Sequence, residues 1–206
     1  MKFKAVVFDF GNVIINIDIP RTYQAFAELT SKPVKSIEKL ITDNQLFKRY
    51  ETGKFTDDEF REIVRQTLGF PLSDREIDDA WNALLLNIPH ERIELIGEIR
   101  KKYPIYLLSN TNNIHIEKSN QYIKKEFNKT LEGLFDKLYL SYEMGLWKPD
   151  KAIYKAVFDD LNLQPNEILF LDDNKSNIES AKEMGIQTIL VEPPTSIIEY
   201  FAEIKW

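Results

Sequence analysis

Four places in this sequence put reactive side chains where an apolar run ends. Ala5-Val6-Val7-Phe8 stops on Asp9 and turns at Gly11, and the run from Pro104 to Leu108 leads into Ser109-Asn110-Thr111. Ile168-Leu169-Phe170-Leu171 ends on Asp172-Asp173-Asn174, and Lys148-Pro149 follows the run Leu138-Tyr139-Leu140. A buried strand that delivers a carboxylate to its C-terminal tip, with a glycine where the backbone bends, is how open α/β sheets present reactive groups. Gathered at one edge, these tips bring together three carboxylates, a hydroxyl and an ammonium. Three carboxylates repel one another unless a cation sits among them. The chain has no cysteine and only two histidines, so the donors are all oxygen, a set that favours Mg2+. Ser109 and Lys148 are then left to hold an anion, hydroxyl and ammonium both directed at phosphate oxygens. Each residue alone has a plainer reading: Asp9 as a turn cap, Ser109 as a helix N-cap, Asp172 and Asp173 as caps of the next helix, Lys148 as a surface charge. Their joint order at strand tips argues for a site.

The elements that must position these groups follow from periodicity. From Ile19 to Asn87 the pattern is helical, with no strand candidate. Tyr23, Phe26, Ala27 and Thr30 fall at helix spacing, Val34 to Ile41 forms a second helix, and Leu46-Phe47-Tyr50 lies on a third that ends near Gly53. Thr56-Asp57-Asp58-Glu59 and Ser73-Asp74-Arg75-Glu76 are two capping boxes, each opening an apolar helical stretch. From His90 onward helices alternate with short apolar strands, at 104–108, 138–140, 168–171 and 188–191, and Gly185 stops the last helix before the final strand. Alternation of this kind predicts an α/β, doubly wound (Rossmann-like) parallel sheet. The first strand belongs to that sheet, so the helical segment is an insertion. The expected division is a core of residues 1–15 and 88–206 with a helical cap over 16–87.

Composition narrows the function. The 206 residues suffice to bury a sizeable core, and charges of both signs are mixed throughout. A net charge of -6 argues against a general nucleic-acid partner, which would require a basic face. Without cysteine, disulfides, zinc-thiolate sites and thiol catalysis are excluded. Asp9 cuts the N-terminal apolar stretch too early for a signal peptide, and no run approaches the roughly 18 apolar residues of a membrane span. A cytoplasmic protein without a membrane partner is the expectation. Its oligomeric state stays open, with a monomer the simpler case.

The motifs resemble those of the haloacid dehalogenase (HAD) superfamily of phosphohydrolases over nearly the whole chain. The first is Phe8-Asp9-Phe10-Gly11-Asn12-Val13-Ile14, the second Leu108-Ser109-Asn110, the third Lys148-Pro149 and the fourth Leu171-Asp172-Asp173-Asn174. The longer strings Ser109-Asn110-Thr111-Asn112 and Asp172-Asp173-Asn174-Lys175-Ser176-Asn177-Ile178 are similar to a bacterial sugar-phosphatase branch, with a member acting on α-D-glucose 1-phosphate. The resemblance implies Asp9 as a nucleophile that becomes an aspartyl-phosphate, which water then hydrolyses. It implies Mg2+ held by Asp9, Asp173 and the backbone carbonyl of Gly11, with Asp172 acting through water. Ser109, Asn110 and Lys148 would bind the substrate, and Lys148 would also balance the charge of Asp9. The expected partner is a small phosphorylated metabolite, such as a hexose 1-phosphate.

One position departs from the family's pattern. Its phosphatases usually carry a second Asp two residues after the nucleophile, to protonate the leaving group; here that residue is Gly11. A sugar 1-phosphate or an acyl phosphate leaves as a weaker base and needs less acid help. Asp18 and His115 are candidate substitutes, although His115 also reads as a structural residue on an amphipathic helix. The turn Tyr50-Glu51-Thr52-Gly53-Lys54 could contact the substrate's head group, and Trp147 could wall the leaving group. Two other functions stay in view: a phospho-ligand sensor without catalysis, and a 2-haloacid dehalogenase. The acidic pair Asp172-Asp173 disfavours the anionic substrate of the second. A phosphorelay receiver uses similar groups, but its acidic pair precedes the phosphorylated Asp, the reverse of the order here.

Overall fold

The computed structural model describes residues 3–192 and 196–203. Five strands, β1 (Ala5–Phe8), β2 (Ile105–Ser109), β3 (Lys137–Leu140), β4 (Ile168–Asp172) and β5 (Gln187–Leu190), form one sheet in the order β3-β2-β1-β4-β5. Every pairing is parallel, with Val7 between Tyr106 and Phe170. The first strand is therefore central, and the chain winds outward from it first in one direction and then in the other. The tips of β1, β2 and β4 flank this reversal, where parallel sheets open a crevice.

Strands in such a sheet are buried on both faces, which accounts for their unbroken apolar runs. Val6 and Phe8 face one layer, packed with Ile93, Ile96 and Ile99 of α6 (His90–Arg100) and with Ile116 and Ile123 of α7 (Asn113–Phe127). Val7 faces the other, against Ile153, Tyr154 and Val157 of α10 (Lys151–Leu161) and Ile178 and Ala181 of α11 (Lys175–Glu183). Three short helices carry too little periodicity to stand out in the sequence: α8 (Leu131–Leu134), α9 (Ser141–Met144) and α12 (Ile197–Glu203). The last nevertheless buries Ile197 and Phe201 on the first layer.

Between β1 and α6 lie α1 (Pro20–Thr30), α2 (Val34–Asp43), α3 (Leu46–Glu51), α4 (Asp57–Leu68) and α5 (Asp74–Trp81). Thr56 and Ser73 both complete reciprocal capping boxes, which set the starts of α4 and α5. These helices share their own apolar cluster around Trp81, which contacts Phe47 at 4.3 Å and Phe60 at 4.7 Å between ring centroids. The chain leaves and returns to the sheet layer along paired backbone: Ile17 bridges Leu85, Asp18 N donates to Leu84 O, and Leu86 N donates to Asn16 O. Among the described residues no helix is long and apolar enough to cross a membrane.

Candidate active site

Lys148 is the pivot of the site. Its side chain is 1% exposed, and its ammonium donates to Asp9 Oδ1 at 2.6 Å, to Asp172 Oδ2 at 2.7 Å and to the Leu108 carbonyl at 2.9 Å. An ammonium has three N–H groups, so all are engaged. The expected donation from Lys148 to a phosphoryl oxygen is not available in this arrangement; the residue orients Asp9 and supplies charge. Burial works against the charged form, but the carboxylates of Asp172 and Asp9 outweigh it and raise the Lys148 pKa.

Asp9 stands just past β1, its N–H still bonded to Leu171 O at 2.8 Å, so the ladder fixes where the carboxylate points. Its Oδ2 has no hydrogen-bond partner among the described residues. Burial pushes the Asp9 carboxyl up to about 7 against the pull of Lys148, and Asp172 and Asp173 push the same way. Such a carboxylate calls for a further cation. Asp9, Asp172 and Asp173 each offer an oxygen within 4.8 Å of the others, the arrangement expected of an oxygen-donor metal centre.

The three acids are not equivalent. Asp172 is fully buried, and both of its oxygens are engaged by Lys148, by Asn174 N at 2.8 Å and by Asn177 Nδ2 at 3.0 Å. It stands as a fixed negative charge held against the Lys148 ammonium. Asp173 is raised by burial and accepts from Asn12 Nδ2 at 2.9 Å. Asn12 adopts φ 53°, and its Oδ1 also accepts from Ile17 N at 3.1 Å. It locks the loop after the nucleophile to the acidic pair. Its signal in the sequence was the Gly11-Asn12 turn dipeptide, since Asn tolerates this left-handed backbone. The Gly11 carbonyl accepts from Val13 N at 2.7 Å, which leaves one lone pair for another partner.

Asn110 lines the same cavity as Asp9 and Lys148. Its amide donates to the Lys148 carbonyl and accepts from the Lys148 N–H, both at 2.9 Å, so the side chain clamps the Lys148 backbone and keeps one N–H for another partner. Ser109 is buried at the tip of β2, and its hydroxyl makes only a long 3.5 Å contact to Asn110 O. The Lys148–Pro149 peptide is cis.

Asp9, Ser109, Lys148 and Asp173 line one cavity of about 390 Å3, to which the inserted helices contribute Tyr23, Phe47 and Glu51. Trp147 joins its wall, as expected, and its indole Nε1 donates to Glu51 Oε2 at 3.0 Å. Of the two suggested acids, His115 takes the structural place also expected of it. Asp18 is exposed and does not line this cavity. His115 lines it, but its ring is buried, with Nδ1 paired to Asn112 Nδ2 at 3.0 Å and Nε2 to the Trp81 carbonyl at 3.2 Å. Burial drives its pKa down to about 4, so it is a neutral structural histidine. At Gly11 a Cβ would meet Ile17 Cδ1 at 2.9 Å; an aliphatic side chain occupies the place where an acid would project.

A family model of haloacid dehalogenase-like hydrolases matches residues 3–185. The chain belongs to that family. Within it, the chain is 35% identical to the D-ribitol-5-phosphate phosphatase of Bacteroides thetaiotaomicron over 189 residues, 92% of each chain. A HAD family enzyme from the same organism, solved in complex with magnesium and inorganic phosphate, superposes with a TM-score of 0.89 at 36% identity, covering 97% of this chain and 99% of that one. An L-2-haloacid dehalogenase from Xanthobacter autotrophicus shares the fold at 21% identity, with a TM-score of 0.61 over 92% of this chain and 77% of that one. The HAD fold thus accounts for the parallel sheet and for the convergence of its strand tips.

Proposed function

We propose that this HAD-family phosphatase hydrolyses a small sugar or polyol phosphate by passing the phosphoryl group first to Asp9 and then to water. The observation that carries this reading is the Lys148 ammonium wedged between Asp9 and Asp172, which leaves Asp9 Oδ2 unpaired beside Asp173. The phosphatase relative at 35% identity supports the reaction class and a small polyol or sugar phosphate as substrate. Mg2+ is the expected cofactor, held by Asp9, Asp173 and the Gly11 carbonyl; when bound it supplies the positive charge that lets an anionic nucleophile approach an anionic phosphoryl group.

The chain's own residues do the rest. Lys148 fixes the Asp9 carboxylate, so that its free oxygen meets phosphorus without reorganisation. Ser109, its hydroxyl poorly engaged at the tip of β2, donates to a phosphoryl oxygen. Asp172 keeps Lys148 charged and in place. The segment over 16–87 acts as a cap that closes the cavity, excludes water and shapes the space for the leaving group.

A screen of the purified chain against phosphorylated metabolites with Mg2+ present tests this. Phosphate release from small sugar or polyol phosphates is expected, lost on adding EDTA and lost in Asp9→Asn. Turnover that persists in Asp9→Asn would remove Asp9 as the nucleophile.

A further inference from the structure

The Gly11 position raises a specific question: which group protonates the leaving oxygen. Asp9 and Asp173 belong to the nucleophile and metal cluster. Both ring nitrogens of His115 are paired, and Asp18 lies elsewhere. One carboxyl is left among the residues that line the cavity: Glu51, at the C-terminal end of α3.

We propose that Glu51, supplied by the inserted helices, is the proton donor to the leaving group and the proton acceptor for the hydrolytic water. The inference rests on the phosphatase reading above and deepens it. Glu51 is 8% exposed and lines the same cavity as the nucleophile Asp9, from the inserted helices. Trp147 Nε1 fixes one oxygen at 3.0 Å, and Oε1 has no partner among the described residues, so the proton has a defined seat. The surroundings favour the protonated form. Burial pushes the carboxyl up to about 7, against the lowering effects of the Trp147 hydrogen bond and the Lys148 charge. Asp9, Tyr23, His115, Lys148 and Asp173 are the other ionisable groups that line the cavity, and the Lys48 ammonium lies 5.0 Å from the centre of the Trp147 ring. A carboxylate at the end of a helix is also disfavoured by the helix dipole.

The steps balance. An Asp9 oxygen bonds to phosphorus as the bond from phosphorus to the leaving oxygen breaks. The electron pair stays on that oxygen, which takes the Glu51 proton and departs as an alcohol. Water then enters the vacated position. Its oxygen bonds to phosphorus, its proton passes to the Glu51 carboxylate, and the Asp9–phosphorus bond breaks with its electron pair returning to Asp9. Orthophosphate leaves, and Glu51 is protonated again.

Two leaving groups test this in Glu51→Gln with Mg2+ present. An alkyl phosphate needs a proton to leave, whereas p-nitrophenyl phosphate does not. Turnover of the alkyl ester should fall by about 10²–10⁴-fold, with KM within about threefold of the wild type. With p-nitrophenyl phosphate the variant should release one equivalent of nitrophenolate per enzyme at close to the wild-type rate and then slow, because the second half-reaction lacks its base. Wild-type turnover of the alkyl ester, or a burst reduced by the same factor as that turnover, would overturn the proposal. Should the glutamine not fold at this buried site, Glu51→Asp provides the same comparison: the carboxyl is withdrawn by one methylene, so the alkyl ester should suffer more than the aryl ester, and equal losses count against the proposal. A wild type inactive on both esters overturns the phosphatase reading and this inference together. That result is distinct from an active wild type whose Glu51→Gln variant is equally active.

Discussion

Lys148 Nζ lies 2.7 Å from Asp172 Oδ2, with the two side chains 1% and 0% exposed. A buried ion pair of this kind contributes little net stability, but breaking it from one side leaves uncompensated charge. Lys148→Met should therefore cost about 3–5 kcal/mol at neutral pH, read as a shift of the urea midpoint. Asp9, already raised by burial, would be raised further without the ammonium and would take up a proton on acidification. The deficit should accordingly narrow between pH 7.5 and 5.5. A deficit constant over that range would mean that charge is not its cause.

Glu51 should make the fold less stable in alkali. Its carboxyl is raised from 4.5 to about 7 by burial, so the folded state binds the proton more tightly than the unfolded chain does. That contribution is fully present below about pH 4.5 and lost as pH rises through about 7. Glu51→Gln should thus be more stable than the wild type at pH 8, by roughly 3 kcal/mol at about 1.4 kcal/mol per pKa unit, with the difference fading at pH 5. Thermal melts at both pH values decide it.

His115 has the opposite sign. Burial lowers it from 6.5 to about 4, so the stability tied to its neutral ring is present above about pH 6.5 and lost as pH falls through about 4. Replacement by Gln keeps polar atoms near the Trp81 carbonyl and Asn112 while removing the titration. The variant should lose less stability than the wild type between pH 6.5 and 4.5, in urea titrations at each pH. An identical slope would assign the acid sensitivity elsewhere.

Gly53, in the turn after α3, packs closely against α9. Its φ is +67°, and a Cβ there would run into the Tyr142 carbonyl oxygen of α9. Gly53→Ala should cost more than about 1 kcal/mol, since the backbone conformation and the close approach both resist a side chain. Because Gly53 follows Glu51 by two residues, kcat on an alkyl phosphate should fall more than kcat on p-nitrophenyl phosphate. Equal activities on both esters would separate this turn from the leaving-group chemistry.

Much of the molecule was legible in the chain itself. Strand runs such as Ala5–Phe8 and Ile168–Leu171 are apolar on both faces because helices cover both sides of a parallel sheet, and local hydropathy records that directly. The capping boxes at Thr56 and Ser73 and the positive-φ stop at Gly185 are also local, each written within a few residues. The order of Asp9, Ser109, Lys148 and Asp172-Asp173 at strand tips was enough to point to an anion and a metal, since crowded carboxylates require a cation. Helices α8, α9 and α12 were not legible, because four to seven residues hold too few turns for a period to show.

What tertiary structure alone decided is who touches whom. No run of sequence shows that the Asn110 amide bridges the Lys148 backbone, or that the three N–H groups of Lys148 meet Asp9, Asp172 and the Leu108 carbonyl. His115 and Asp18 are plausible acids by type alone; burial with paired nitrogens removes the first, and exposure away from the cavity removes the second. Glu51 was one residue in a polar turn, and its raised pKa and its link to Trp147 exist only once the inserted helices close over the sheet. Sequence determined the kinds of groups and their order, because strands and caps are set by neighbours along the chain. Desolvation and hydrogen-bond saturation depend on neighbours in space, and only the folded packing supplies those.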